Sequence, residues 1–171
     1  MDSVDYCPVL LRTQYRCHPR ISGIANTLFY RGQLCDGVTE DSRQPLSPVF
    51  PTLSFYDEAG GQEVTDGSGS YYNESEARLV VLLIHALVME GVEAGSIGVI
   101  TLYKAQMYKI ITSLHTDNPA VNKQLKCVQV STVDAFQGGE KDVIILSCVR
   151  SNNIGFIDSD NDVLSGERTW H

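Results

Sequence analysis

The sequence predicts an α/β fold built around a mainly parallel β-sheet, and two observations support that prediction. Apolar segments with helical spacing alternate along the chain with short runs of β-branched residues, which is the order expected when helices connect parallel strands. Residues 143–149 are almost continuously apolar, as in a strand that is buried on both faces of such a sheet. At 171 residues, the chain has the length of one compact domain.

The spacing of apolar residues predicts three helices. Short amphipathic helices are expected over residues 21–29 and 104–115. The clearest helix contains the apolar run 77–89, because Asn73 and Glu76 before it have the spacing of a capping box and Gly91 after it supplies the stop. Since this helix is apolar almost all round, we expect it to be covered on more than one side.

Strands and loops account for the rest of the predicted organisation. Residues 34–51 contain three prolines, and residues 57–72 are rich in glycine, serine and aspartate, so both segments are interpreted as loops. Strands are predicted over residues 52–56, 97–101, 127–133 and 143–149.

Composition excludes several classes of protein. With 43% hydrophobic and 20% charged residues, the chain can build a core and is not of the disordered type. The longest apolar run, residues 79–89, is shorter than a membrane span, and no signal peptide is recognisable at the start. We therefore expect an intracellular protein without a membrane partner. A location in the nucleus rather than the cytoplasm is a separate expectation, which composition does not decide.

The five cysteines form no CxxC pair. Zinc sites and disulfide frameworks both require clustered or paired cysteines, so we expect reduced thiols and no metal site in the chain. A nucleophilic role for Cys17 beside His18 is disfavoured, because adjacent side chains seldom face each other.

Charge is unevenly distributed along the chain. The net charge of −8 argues against nonspecific nucleic-acid binding by the whole surface. Residues 6–35 nevertheless carry four arginines and no acid, whereas residues 57–76 carry six acids and no base. The acidic block is interpreted as a solvated loop, and the arginine segment as either a solvated face or a surface for a phosphate-bearing partner.

Polar residues concentrate in three places where predicted strands give way to loops, the usual ligand edge of an α/β sheet. In residues 13–19, Tyr15 offers a ring for stacking a base and Arg16 a guanidinium fork for phosphate oxygens. The alternative is a packing tyrosine and a surface ion pair. In residues 101–106, Thr101 and Lys104 flank a helix N-terminus that could hold a phosphate, or simply cap the helix.

The third place is residues 131–142. Two glycines let the backbone approach another group closely, and exposed amides and hydroxyls suit phosphate or sugar oxygens. Glu140 could accept hydrogen bonds from a ribose hydroxyl. The alternative is a tight turn with a solvated, charged edge. The 171 residues contain no GxxxxGK[ST] phosphate loop, no acidic pair for magnesium after an apolar strand, and no GxSxG motif.

These three places resemble, in order and spacing, successive motifs of superfamily 1B helicases of the up-frameshift branch, which includes the nonsense-mediated-decay helicase. They read LRTQYRCHP over residues 11–19, IGVITLY over residues 97–103 with Gln106, and VDAFQG over residues 133–138 with EKD over residues 140–142. The segment QYRCHP, residues 14–19, is most similar to the corresponding motif of the DNA helicase that carries a GRF zinc finger. The resemblance covers about residues 10–156.

The resemblance implies a RecA-like three-layer sandwich over residues 1–157, the second of the two RecA-like domains of such a helicase. In that family the tyrosine matching Tyr15 stacks on adenine, and the arginine matching Arg16 reaches the γ-phosphate and is catalytic. Glu140 is expected to contact the ribose, with Gln137 and Gly138 linking nucleotide to nucleic acid. Single-strand contacts are expected from Thr101, Tyr103, Lys104, Gln106, Ser131 and Thr132.

The implied function is the C-terminal half of an ATP-dependent 5′-to-3′ helicase acting on single-stranded DNA or RNA. ATP and Mg²⁺ would be shared with a separate first RecA-like domain and not bound by this chain alone. Residues 158–171 depart from the family pattern with an acidic stretch, so we expect a disordered tail and a truncated C-terminal end with an exposed sheet edge. The alternatives are an inactive fragment that binds nucleic acid or partner proteins, and an unstable fragment without a role.

Overall fold

A computed structural model describes residues 9–115 and 118–150 of the chain. The chain divides into two compact units, Met1–Phe55 and Tyr56–His171, and each is described by itself. The helices and strands of both units alternate, and the largest sheet is parallel, so the predicted α/β class is confirmed.

The first unit consists of two short parallel strands and one helix. Strand β1 (Thr13–Gln14) pairs with β2 (Cys35–Asp36), and helix α1 (Pro19–Phe29) connects them. Helix α1 begins after His18, whose Nδ1 accepts a hydrogen bond from the Arg20 amide at 3.0 Å. Pro19 at the first helical position suits this start, because proline lacks the amide that would otherwise need a partner there.

A hydrogen-bonded carboxylate joins the three elements of the first unit. Oδ1 of Asp36 accepts hydrogen bonds at 2.6 Å from both the Ser22 hydroxyl of α1 and the Gln14 side-chain amide of β1. The bond from Ser22, and then that from Gln14, lowers the pKa of the Asp36 carboxyl. Asp36 therefore stabilises this unit through its charged form.

The second unit begins with a hairpin and continues as alternating helices and strands. The hairpin consists of β3 (Glu63–Thr65) and β4 (Tyr71–Asn73), and α2 (Glu74–Met89) follows directly. The later elements are β5 (Ile97–Thr101), α3 (Lys104–Ser113), α4 (Pro119–Leu125), β6 (Gln129–Thr132), the single turn α5 (Val133–Phe136) and β7 (Val143–Ser147).

A three-stranded parallel sheet in the order β6-β5-β7 forms the centre of the second unit. The central strand β5 is fully covered at Ile97, Val99 and Thr101, and these alternate residues share one face of the sheet. Helices α2 and α3 pack against each other and against this sheet. On the other face, Gly98 leaves room for the Phe136 ring of α5.

The start of α2 shows why the sequence predicted it well. The Asn73 side chain accepts a hydrogen bond from the Glu76 amide at 3.1 Å, as expected of an N-cap. Glu76 does not return the bond as a capping box would. Its carboxylate instead accepts hydrogen bonds from the Ser147 hydroxyl and the Val149 amide, both at 2.8 Å.

Most predicted elements are confirmed, with small shifts at their ends. The strand predicted over residues 52–56 is wrong: no described strand pairs with it, and Phe55 is 91% exposed. The segments 34–51 and 57–72 are also not all loop, because β2 lies in the first and the hairpin β3–β4, apart from its last residue, lies in the second. Strand β7 is not buried on both faces, since Ile144 and Leu146 are 44% and 59% exposed.

The acidic block is more than a solvated loop. Glu63 pairs with Arg150, Glu74 with Arg78 and Lys109, and the Asp66 carboxylate accepts hydrogen bonds from residues 68 and 70 of its own turn. No helix within the described residues has the length and apolar character needed to cross a bilayer. The predicted disordered tail, residues 158–171, lies outside the described residues.

We predict that Ser22→Ala raises the pKa of Asp36 towards its ordinary value, because the variant removes the hydrogen bond that contributes most to lowering this pKa. A folded pKa below the unfolded value gives stability that is present above about pH 3.9 and is lost as the pH falls through the folded pKa. Ser22→Ala should therefore make the first unit less sensitive to acid. An NMR titration of the Asp36 carboxyl carbon measures the shift, with Ser42→Ala as control; an unchanged titration would contradict the account.

Candidate functional site

In the first unit, Tyr15 and Arg16 directly follow β1, and one side-chain amide shapes their loop. Oε1 of Gln14 accepts hydrogen bonds from the backbone amides of Arg16 at 2.9 Å and Cys17 at 3.0 Å. Nε2 of Gln14 donates to the Cys17 carbonyl at 2.8 Å. The side chain of Gln14 thus closes the loop by binding three of its backbone groups.

The ring of Tyr15 lies directly over Gly37, and a Cβ at that position would overlap the ring carbons. Tyr15 is nevertheless 64% exposed, and Arg43 anchors its backbone by donating from Nη2 to the Tyr15 carbonyl at 2.9 Å. One covered and one accessible ring face is the arrangement needed to stack a planar base. The Arg16 side chain is also exposed.

In the second unit, three hydroxyl residues end the three parallel strands side by side. Thr101 of β5 is in register with Thr132 of β6 and with Ser147 of β7. Thr101 and Ser147 are fully buried, whereas Thr132 and its neighbour Ser131 are half-buried. The carboxyl edge of the sheet therefore carries polar groups where ligands of α/β proteins usually bind.

A cleft of about 630 Å³ lies beside this edge, between the hairpin turn and the start of α3. Its walls are residues 68–71 of the turn, residues 102–104 and Arg150. The two walls are joined by a hydrogen bond of 3.1 Å from the Ala105 amide to the Ser70 hydroxyl. Lys104, the first residue of α3, is exposed at the cleft, so a cation and a helix N-terminus are both present there.

Three of the residues predicted to contact a nucleic-acid strand are buried. Gln106 is fully buried: its Oε1 accepts from the Asn73 amide at 2.8 Å, and its Nε2 donates to the Ser147 hydroxyl at 3.0 Å. Thr101 is fully buried, and Tyr103 packs edge-on against Tyr71 with ring centroids 5.5 Å apart. Their side chains build the edge, which leaves Lys104, Ser131 and Thr132 as the accessible members of the predicted set.

The hairpin turn and Arg150 were not predicted from the sequence as parts of the cleft. A signal for the turn was present, since Gly-Ser-Gly-Ser over residues 67–70 separates two short runs of strand-forming residues. Arg150 carried no local signal, because its partner Glu63 is 87 positions away.

The predicted nucleotide segment 137–140 forms an exposed turn after α5. Its backbone closes through hydrogen bonds from the Gln137 amide to the Asp134 carbonyl at 3.3 Å and from the Gly139 amide to the Phe136 carbonyl at 2.8 Å. Gly138 has φ +83°, a conformation that other residues rarely adopt. The side chains of Gln137 and Glu140 are exposed, which leaves them accessible to a ligand.

The structure offers little support for metal or thiol chemistry in the part of the chain that it describes. No group of three or more histidine, cysteine, aspartate or glutamate side chains there could hold a metal ion. Burial, and then the charge of Asp36, raises the pKa of the Cys17 thiol. Burial, and then the charge of Glu76, does the same for the pKa of Cys148. Both thiols are therefore held in the protonated, less reactive form at neutral pH.

The sequence is similar to those of known proteins. The AAA domain family matches residues 1–164. Mouse 5′-3′ DNA helicase ZGRF1 is 54% identical over 153 residues, which is 90% of this chain and 8% of the mouse protein. Regulator of nonsense transcripts 1 from Caenorhabditis elegans is 39% identical over 157 residues, covering 86% of this chain and 14% of its own length. Yeast ATP-dependent helicase NAM7 is 38% identical over 165 residues, covering 91% and 17%.

The chain therefore spans less than a fifth of the length of each of these relatives. The AAA domain match runs through the loop after β1, the carboxyl edge of the sheet and the turn at residues 137–140. The chain belongs to the AAA domain family, and its similarity to the relatives named above is consistent with a superfamily 1 helicase of the up-frameshift type.

Proposed function

We propose that this chain is the C-terminal RecA-like half of an ATP-dependent helicase that moves 5′ to 3′ along single-stranded DNA. The observation that carries the proposal is the identity of 54% with the mouse 5′-3′ DNA helicase across 90% of the chain. The two candidate regions support it, because each offers accessible groups of the chemistry that a helicase needs.

Nucleotide recognition in the first unit would rest on Tyr15 and Arg16. The accessible face of the Tyr15 ring would stack on adenine. The Arg16 guanidinium would stabilise negative charge on the phosphoryl group during transfer, which is the role of an arginine supplied from outside the phosphate-binding domain. Bound ATP would supply the phosphoryl group whose transfer drives movement.

In the second unit, the turn at residues 137–140 offers nucleotide-binding groups of its own. The exposed Glu140 carboxylate is an acceptor suited to ribose hydroxyls. Gln137 and Gly138 would couple nucleotide state to the strand, because they follow α5, which begins directly after the strand-contact residue Thr132. The left-handed conformation of Gly138 would let this turn change shape at low cost.

Contacts with the nucleic-acid strand would come from the carboxyl edge of the β-sheet in the second unit. Lys104 would pair with a phosphate, and the Ser131 and Thr132 hydroxyls would bind the backbone without reading its sequence. The chain carries a net charge of −8, so this binding should be weak, and its salt dependence should reflect the small number of phosphates that Lys104 and its neighbours neutralise. DNA is proposed over RNA on the name of the mouse relative.

A separate polypeptide or domain with a phosphate loop would complete the enzyme and hold the Mg²⁺ ion with its own acidic residues. The phosphate-loop pattern does not occur in these 171 residues. A nuclear location fits a DNA helicase and is part of this proposal.

We predict that hydrolysis of ATP appears when this chain is mixed with the phosphate-loop domain of the mouse relative, and that Arg16→Ala lowers the rate by about 10³-fold or more. A steady-state phosphate-release assay with single-stranded DNA measures it. Arg12→Ala, which removes a guanidinium from the same exposed segment, should stay within about twofold of the unaltered chain, since a surface charge contributes little.

Two results would count against this function. Equal losses in Arg16→Ala and Arg12→Ala would show that Arg16 has no special role. No hydrolysis in the mixture, together with retained strand binding, would favour the alternative function of an inactive nucleic-acid-binding module.

We also predict that Lys104→Ala weakens binding of a fluorescent oligothymidylate. Loss of one phosphate contact should reduce the slope of log K against log salt concentration by about 0.7 for a single strand. Fluorescence anisotropy at several salt concentrations gives both quantities. Lys123→Ala, an exposed cation on α4, is the matched control and should leave the slope unchanged. A slope that stays the same in Lys104→Ala would place the strand elsewhere.

A further inference from the structure

The chain makes a strained turn immediately after β7. Val149 has φ +73° and is almost fully buried, with 1% of its surface exposed. A β-branched residue is disfavoured in this conformation, so the surrounding structure must hold it there. Strain of this kind is commonly retained where it places a neighbouring functional group.

Three side chains hold the strained turn. Glu76 at the start of α2 accepts a hydrogen bond from the Val149 amide at 2.8 Å, and Asn73 donates from Nδ2 to the Val149 carbonyl at 3.4 Å. The same Glu76 carboxylate accepts from the Ser147 hydroxyl at 2.8 Å. Both backbone polar groups of Val149 are thus bound by the N-terminal end of α2.

The consequence of the turn is the position of Arg150 in the wall of the cleft. Its Nε donates to Glu63 Oε1 at 3.1 Å, and its guanidinium carbon lies 4.2 Å from the centre of the Tyr71 ring. Tyr71 in turn packs edge-on against Tyr103. Both partners of Arg150 belong to the hairpin, and Arg150 acts on the wall formed by the start of α3 through the contact of Tyr71 with Tyr103.

We infer that Arg150 is a positioning residue for the strand-contact cleft: clamped between Glu63 and Tyr71, it fixes the hairpin turn against the start of α3, where Lys104 meets the strand. This inference rests on the proposed function for the identity of the ligand, a single-stranded nucleic acid. The side chains of Arg150 and Glu63 are each only 12% exposed, so the guanidinium acts through its neighbours and the exposed Lys104 supplies the charge that meets phosphate.

The clamp requires arginine in particular. Its planar guanidinium can stack on a ring while its Nε binds a carboxylate, whereas the ammonium group of lysine keeps the charge and loses the flat surface. Arg150→Lys therefore separates position from charge. Glu63→Gln also weakens the clamp, but it makes the chain less negative, which by itself would favour binding of a nucleic acid.

The test compares Arg150→Lys and Glu63→Gln with the unaltered chain, using Arg78→Ala as control for a lost exposed charge on α2. Binding of an oligothymidylate is measured by anisotropy at several salt concentrations, and hydrogen exchange is measured on the strand-free chain over residues 66–72 and 101–107. We expect both clamp variants to weaken binding by roughly fivefold with an unchanged salt slope, and to exchange faster in both segments. Arg78→Ala should change neither segment.

Three outcomes decide the inference. Tighter binding by Glu63→Gln, or unchanged binding by Arg150→Lys, would show that Arg150 acts by its charge and would overturn it. Unchanged exchange in both clamp variants would also overturn it, whether or not strands bind. Faster exchange in a chain that binds no strand would support the positioning role and instead contradict the proposed function.

Discussion

The buried amide of Gln106 holds together the edge of the sheet on which the rest of the second unit depends. It accepts from the last residue before α2 and donates to the hydroxyl that ends β7. Glu76 extends this network by binding Ser147 and the following turn. Buried hydrogen bonds such as these are strengthened by the low local dielectric, and a buried polar group left without its partner would destabilise the folded state. The network therefore fixes α2, α3 and β7 relative to one another, and with them the cleft.

The sequence predicted the parts of the fold that depend on local chemistry. Strand β5 was predicted with the bounds that the structure gives it, and Asn73 was identified as the cap of α2. Long-range partners were beyond its reach. Glu76 has the spacing of a capping box, yet its carboxylate binds residues more than 70 positions away. The segment 52–56 has the composition of a strand, but a strand also needs a neighbour, and composition does not show whether one is present.

The candidate site was predictable to a similar extent. The motifs identified the loop after β1, the carboxyl edge of the sheet and the turn at residues 137–140 as the polar places of the protein. They did not separate residues that can meet a ligand from those that build the edge, because a motif records which residues occur together and not which way they point. Gln106 is buried and Lys104 is exposed although both stand in the same turn of α3. Arg150 and the hairpin turn required the folded structure.

A double-mutant cycle between Gln106 and Ser147 tests directly whether the Gln106 network holds the carboxyl edge of the sheet together. Gln106→Ala, Ser147→Ala and the double variant are unfolded with urea, and the free energies of unfolding are compared. We predict a coupling energy of about 1 kcal/mol, since the two side chains share a buried hydrogen bond of 3.0 Å. Gln106 paired with the exposed Thr112 of the same helix should give additive effects. Additive effects for Gln106 and Ser147 as well would contradict the claim that this network holds the edge.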